Sequence, residues 1–359
     1  MSEHKIYKPP KQSFLKKIKR WFFTAVRLSN SPAVKLYAGF GNNAHCFIYG
    51  HALAVSPLGR KKYRKNFLYN SLALLRLFMI KPIEGAQVQL QWDGRMYTTT
   101  SEADGFFKFE WQPDKILLPG SYTVQADLIQ KKSGHISASC KALLTIPSVN
   151  QYTFISDIDD TFLISHSGNL RKRLFVLLTE NAHSRKTFDG VVRHYQLLNS
   201  GGCNEHNPFF YVSSSEWNLY GYIKEFSGRN KLPDGVYLLN QIKKFEQVFK
   251  TGQNNHSTKF MRIVRILEAY PEQKFVLLGD DSQEDPNIYA SIVTHFKEKI
   301  FCVYIRAVKK IPKPDIKKKL KEIENMGTLC CYFNHSEEAI LHSHKIGLIN
   351  AGKEGYTDN

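Results

Sequence analysis

No stretch of this chain offers the roughly eighteen uninterrupted apolar residues that a membrane-spanning helix needs. The apolar stretch near the N-terminus is broken by charges, and no small-residue cleavage pattern follows it, so a secretory leader is not expected. The six cysteines, Cys46, Cys140, Cys203, Cys302, Cys330 and Cys331, contain no C-x-x-C pair, which removes support for a zinc site or a thioredoxin-like motif. Cys302, Cys330 and Cys331 sit inside apolar runs and read as small core residues. A reducing compartment suits this set, and the expected location is cytoplasmic, at most peripheral on a membrane's inner face. No internal repeat or low-complexity tract stands out. Acidic residues are also scarce: 32 Asp and Glu stand against 50 Lys and Arg, a formal charge of +18. That surplus predicts an anionic partner, whether nucleic acid, an acidic membrane surface or a phosphorylated substrate, with a merely solvated basic surface as the plainer alternative. The charge permits nucleic acid, but no recognised motif supports it.

What is present is enough apolar material for a sizeable core: 42% hydrophobic and 13% aromatic residues. At 359 residues the chain favours two domains over one. Residues 1–30 form a basic segment with eight Lys or Arg against one Glu. Within it Phe14, Ile18, Trp21, Phe22, Ala25 and Val26 recur at helical spacing, which suits either a helix lying in a lipid interface or one packed on the body of the protein. Residues 31–149 read as a small all-β sandwich, with strands in HCFIYGHALAV, VQLQW, MYTTT, DGFFKFEW and GSYTVQADL. A basic turn, GRKKYRK, and a helical NFLYNSLALLRLFMI interrupt it. From residue 150 to 350 apolar runs alternate with helical segments, which predicts an α/β domain with a doubly wound parallel sheet, followed by a tail at 351–359. Active sites in such sheets lie at the carboxyl ends of the strands, so the residues just after each apolar run matter most.

The first of these runs ends in Asp157-Ile158-Asp159-Asp160-Thr161, a D-x-D-x-T sequence. Like charges this close repel unless a cation resolves them, and oxygen ligands suit a hard ion such as magnesium. The spacing also assigns work: the first carboxylate can attack phosphorus and the second can handle a proton. A solvated acidic turn or a calcium-binding loop is the plainer reading of the motif alone. PFFYV ends in Ser213-Ser214-Ser215, whose hydroxyls and amides suit phosphate oxygens. Lys259 opens KFMRIVRILEAYP, and KFVLLG ends in Asp280-Asp281 with Asp285 beyond. A second acidic cluster after a second strand is the missing half of a magnesium site.

This order of motifs matches the haloacid dehalogenase superfamily. SDIDDTFL, FFYVSSSEWNLYGYI, TKFMRIVRILEAYPEQKFVLLGDDSQEDPNIYA and the later CVYIR resemble the catalytic domain of the actin-patch-associated phosphatidate phosphatase family over roughly residues 150–350. The run GAQVQL…PGSYTVQADL resembles transthyretin-like sandwich domains, which implies a structural or docking module. The family resemblance implies hydrolysis of phosphatidate to diacylglycerol with Mg2+ through an aspartyl-phosphate. It implies Asp157 as nucleophile and Asp159 as acid and base. Asp157, the Asp159 carbonyl and Asp280 would hold the metal, with Asp285 as an outer ligand or orienting group. Ser213, or Ser214 as its rival, and Lys259 would stabilise the phosphoryl group, with Thr161 as a further substrate contact. Arg171 and Arg173, in the segment from Phe162 to Asp189, could grip an anionic head group. Two departures stand out: Glu216 replaces a usual proline, and Asp281-Ser282 replaces a usual Ser-Gly. Both are expected to alter the rim of the site. The alternatives are a soluble phosphomonoesterase acting on a small-molecule or protein phosphate, and a non-catalytic lipid-binding adaptor. The lysine run 309–321 reads most simply as a solvated helix, with an added attraction to an anionic membrane as the alternative.

Overall fold

A computed structural model of the chain describes residues 28–29, 31–57, 76–148, 152–158, 190–201, 206–240, 255–308 and 314–349. The expected N-terminal helix, the GRKKYRK turn, Asp159, Thr161, Arg171 and Arg173 lie outside the described residues. So does most of NFLYNSLALLRLFMI, of which residues 76–78 are helical.

The strand-rich N-terminal region contains β1 (Leu28–Ser29), β2 (Ala33–Leu36), β3 (Gly39–Gly41), β4 (Cys46–Pro57), β5 (Lys81–Pro82), β6 (Gln87–Trp92), β7 (Arg95–Thr100), β8 (Phe106–Trp111), β9 (Gly120–Ile129) and β10 (Ile136–Ile146). Alternation dictates which side chains turn inward. Val88, Leu90 and Trp92 of β6 and Phe107, Phe109 and Trp111 of β8 are buried, while the residues between them are more exposed. Strand β4 pairs with β1, β2, β3, β5 and β8, and β10, β9, β6 and β7 form an antiparallel run joined to it through β3. The sequence reading did not mark β10, because Ser137, Ala138, Ser139, Cys140 and Lys141 are small or polar and carry no apolar alternation.

Among the described residues the α/β region forms a six-stranded parallel sheet in the order β13-β12-β11-β14-β15-β16. Its strands are β11 (Thr153–Asp157), β12 (Phe209–Glu216), β13 (Gly235–Asn240), β14 (Phe275–Asp280), β15 (Ile300–Arg306) and β16 (Leu329–Phe333). Between and after them run α1 (Val191–Ser200), α2 (Tyr220–Arg229), α3 (Asn255–Ala269), α4 (Asp285–Phe296), α5 (Pro314–Asn325) and α6 (Ser336–Lys345). Every residue of β11 and β14 is buried, as a strand covered on both faces requires. The chain order runs outward from β11 on one side and from β14 on the other. The adjacent pair β11 and β14 is therefore the switch point, where such sheets open a crevice at their carboxyl ends. Of the cysteines expected in the core, Cys302 is fully buried, whereas Cys330 and Cys331 are half-buried.

The hydrophobic cluster of the α/β region takes in Tyr37, Phe40 and Tyr49 from the strand-rich region. Tyr37 stacks on Trp217 at 4.1 Å between ring centroids, and Phe40 meets Phe210 edge-on at 5.4 Å. Asn42 Nδ2 donates to the Ala269 carbonyl at 2.5 Å.

Two fully buried histidines give the fold an acid limit. His51 shares a hydrogen bond with the Tyr37 hydroxyl at 2.8 Å, and His194 Nε2 lies 2.9 Å from Ser343 Oγ. Burial, and then nearby cations, depress both from 6.5 to about 3. Below pH ~6.5 the unfolded chain takes up protons that the fold refuses, so stability falls with pH down to ~3. The slope is at most about 1.4 kcal/mol per pH unit for each histidine. Thermal unfolding from pH 7 to 4 should show this decline, and it should be shallower in His194→Gln. An unchanged slope in that variant would reject the assignment.

Candidate active site

Asp157 closes β11 and Asp280 closes β14, so the switch point sets two carboxylates on neighbouring strand ends. Lys259 reaches them from α3. It lies one turn before Ile263 and two before Ile266 and Leu267, all fully buried, so its stem belongs to the inward stripe of the helix. Its Nζ donates to Asp157 Oδ1 at 2.6 Å and, closer still, to Asp285 Oδ1. Asp285 opens α4, with Pro286 next to it at a first-turn position where its missing N–H costs nothing. The second oxygen of Asp285 accepts the Asp280 amide at 3.3 Å, and Asp280 Oδ1 accepts the Ser282 amide at 2.5 Å. Ligand oxygens of Asp157, Asp280 and Asp285 all lie within 4.8 Å of one another, and all three residues are buried.

The electrostatics of this cluster are unbalanced. Burial works against the Lys259 ammonium, but the Asp157 and Asp285 carboxylates outweigh it and hold the proton on. Burial, and then the Asp285 charge, push the Asp280 carboxyl well above the usual carboxylate range. Among the described residues, Lys259 is the ammonium within ion-pair distance of these three buried carboxylates. Three converging carboxylate oxygens are a donor set for a hard divalent cation, so the residues present fit magnesium.

Asp285 therefore stands inside the cluster rather than at its edge. Gly279 makes room for it: a Cβ on Gly279 would come within 2.6 Å of Asp285 Oδ2 and 2.7 Å of the Tyr289 ring. Tyr289 is itself fixed by donating to the Leu278 carbonyl at 2.9 Å. Gly279→Ala and Asp285→Ala are both expected to lower kcat by at least ~100-fold, comparable to Asp280→Ala. Steady-state kinetics against Mg2+ concentration would check this, and near-wild-type rates in either variant would remove Asp285 from the cluster's chemistry.

Asp281 has a different position from its neighbour. It is fully buried, accepting the Val308 amide at 2.8 Å and the Tyr332 hydroxyl at 2.9 Å. This departure from the family pattern thus points inward, tying the ends of β15 and β16, instead of changing the rim. Glu216 lies at the end of β12 and pairs with Asn240 of β13 after a register shift. Ser213 is fully buried and its Oγ accepts the Ser215 amide at 2.9 Å, whereas Ser214 is half-buried. Asp159, the expected acid and base, and the substrate contacts expected of Thr161, Arg171 and Arg173 fall outside the described residues.

Two residues escaped the sequence reading. Arg262, one turn after Lys259, donates to the Ser213 carbonyl at 3.2 Å and to Asn240 Oδ1 at 3.1 Å, joining the ends of β12 and β13. Its helical spacing from Lys259 was the available signal. Arg306 closes β15 in register with Asp280, lies 4.8 Å over the Phe333 ring and donates to Ser336 Oγ at 2.8 Å. A lone basic residue at the end of an apolar strand run was the hint there.

Residues 152–307 match the family model described as phosphatidate phosphatase APP1, catalytic domain. This segment is similar to that family. It begins just before β11 and ends just after Arg306, so it contains Asp157, Lys259, Asp280 and Asp285 together. The phosphatidate phosphatase APP1 of Saccharomyces cerevisiae is 30% identical over 154 residues, 42% of this chain and 25% of that protein. An uncharacterised protein of Schizosaccharomyces pombe is 22% identical over 216 residues, 59% of this chain and 34% of its own length. The chain thus spans a quarter to a third of the curated relatives it matches. Among solved structures, a carbohydrate acetylesterase from Xanthomonas citri covers 88% of this chain and 75% of its own at 9% identity. Its TM-score of 0.33 is too low to bear on the fold or the site.

Proposed function

We propose that the chain is a magnesium-dependent phosphatidate phosphatase of the haloacid dehalogenase type, working through an aspartyl-phosphate on Asp157. The observation that carries this reading is the Lys259 ammonium held between Asp157 and Asp285 at the switch point. A lysine there holds the nucleophile by one oxygen and sits beside the place where phosphoryl charge develops. In the first half-reaction a carboxylate oxygen of Asp157 attacks phosphorus, the ester P–O bond breaks, and the departing alkoxide takes a proton from Asp159. In the second, Asp159 accepts a proton from water as that water attacks phosphorus, and the bond to Asp157 breaks to release phosphate. Ser213, whose carbonyl accepts from Arg262, would donate its hydroxyl to phosphoryl oxygens. Asp157, Asp280 and Asp285, with the Asp159 carbonyl, would hold magnesium, which when bound neutralises charge on the phosphoryl group. Arg171 and Arg173 would supply charge for an anionic head group in this reading.

Phosphate release from phosphatidate in mixed micelles, run beside a panel of soluble phosphomonoesters, tests the proposal. Turnover of phosphatidate is expected to exceed that of the soluble esters, to vanish in EDTA and to return with Mg2+. Hydrolysis of soluble esters alone would reject the lipid substrate, and full activity in EDTA would reject the metal. The basic surplus further suits peripheral attachment to an anionic surface, which salt-sensitive sedimentation with anionic vesicles would register and salt-independent sedimentation would contradict.

A further inference from the structure

A second pocket lies where the strand-rich region meets α3, with a cavity of about 170 Å3. Arg262 and Arg265 of α3 line it together with Glu102 and Asp104, from the loop before β8. Tyr49, Phe106 and Trp217 supply aromatic walls. The opposite charges do not close on each other: among the described residues neither guanidinium has a carboxylate within ion-pair distance. Arg262 donates instead to the neutral Ser213 carbonyl and Asn240 amide oxygen, and Arg265 to the Tyr49 hydroxyl at 3.2 Å. Burial, and then the like charge of Arg265 one turn on, lower Arg262 to about 10, and an anion beside them would favour its charged form.

We propose that this pocket binds a phosphoammonium zwitterion, the chemistry of a phosphocholine or phosphoethanolamine group. The phosphate faces Arg262 and Arg265, because guanidinium forks match phosphate oxygens in pairs. The ammonium faces Glu102 and Asp104 against the aromatic walls, where cation–π attraction adds to the carboxylates' charge. Pockets for drug-sized ligands occupy about 300–1,000 Å3, so this smaller cavity suits a compact head group. The group bound here is separate from the ester that reacts at Asp157. Arg262 is common to both places, because it also holds the carbonyl of Ser213. Occupancy of the pocket therefore bears on the strand end that carries the phosphate-facing serine.

Calorimetric titration of the full chain reads binding without turnover, so its result is independent of the hydrolytic reading. The probes are phosphocholine, phosphoethanolamine, choline alone and inorganic phosphate alone. One zwitterion is expected to bind at least ~10-fold tighter than either half, and Arg265→Gln and Glu102→Gln are each expected to weaken it by ~10-fold or more. Thermal unfolding of both variants checks that they fold, and their opposite charge changes exclude a general electrostatic effect. Phosphatidylcholine vesicles distinguish the source. Vesicle binding displaced by soluble phosphocholine assigns a membrane lipid, and soluble binding without vesicle binding assigns a free ester. Inorganic phosphate binding as tightly as the zwitterions, unchanged affinity in both variants, or no binding of any probe would overturn the site.

Discussion

Lys259→Met is expected to cost both stability and catalysis. In metal-free protein it removes the ammonium that Asp157 and Asp285 share, and leaves buried carboxylates facing one another. Breaking a buried ion pair from one side typically costs about 3–5 kcal/mol, because the remaining charge has lost its compensation. Denaturant unfolding in EDTA should show a loss of that order. Mg2+ should then restore part of it, since a divalent cation replaces the missing positive charge. It should not restore turnover: losing a fixed donor at the developing phosphoryl charge is expected to lower kcat by about 10²–10³-fold. A variant as stable as the parent in EDTA would remove the structural role of Lys259, and one active with Mg2+ would remove its catalytic role.

Asp157→Asn should separate these two effects. The amide has nearly the same shape and keeps an oxygen that can accept from Lys259, so the fold is expected to survive. Stability in EDTA should be unchanged or slightly raised, because one of three crowded carboxylates is gone. Turnover should fall by at least ~10⁴-fold, since an amide cannot act as the nucleophile. Phosphate release would be measured alongside intact-protein mass spectrometry, to exclude deamidation back to aspartate. Normal turnover in the fully substituted protein would reject the covalent mechanism.

Much of this arrangement was legible in the sequence because period and position carry it. Alternation in QVQLQW and FFKFEW marked the inward faces of β6 and β8, and unbroken apolar runs ending in acid marked β11 and β14. Lys259 was recognisable from its order among the motifs. What the sequence could not separate was like from like. Asp280, Asp281 and Asp285 carry the same functional group, and only the strand's end and the helix's start decide that Asp281 turns toward Tyr332 while Asp285 turns toward Lys259. Arg262 was hidden for a related reason. One basic residue in a chain with 50 of them has no mark of its own until the Ser213 carbonyl and Asn240 are seen beside it. The small and polar residues of β10 left no hydrophobic trace, although β9 and β3 both depend on that strand for pairing.

The stack of Tyr37 on Trp217, with Phe40 against Phe210, also constrains how such a chain can be recombined. Trp217 follows directly on the strand that carries Ser213, so the contact with Tyr37 is made at the end of β12. A gene fragment encoding the parallel sheet alone would carry an oily patch where Tyr37, Phe40 and Tyr49 now sit. Exchange of the catalytic segment between lineages would succeed only where the recipient supplied matching rings, so Tyr37 and Trp217 should be inherited as a pair.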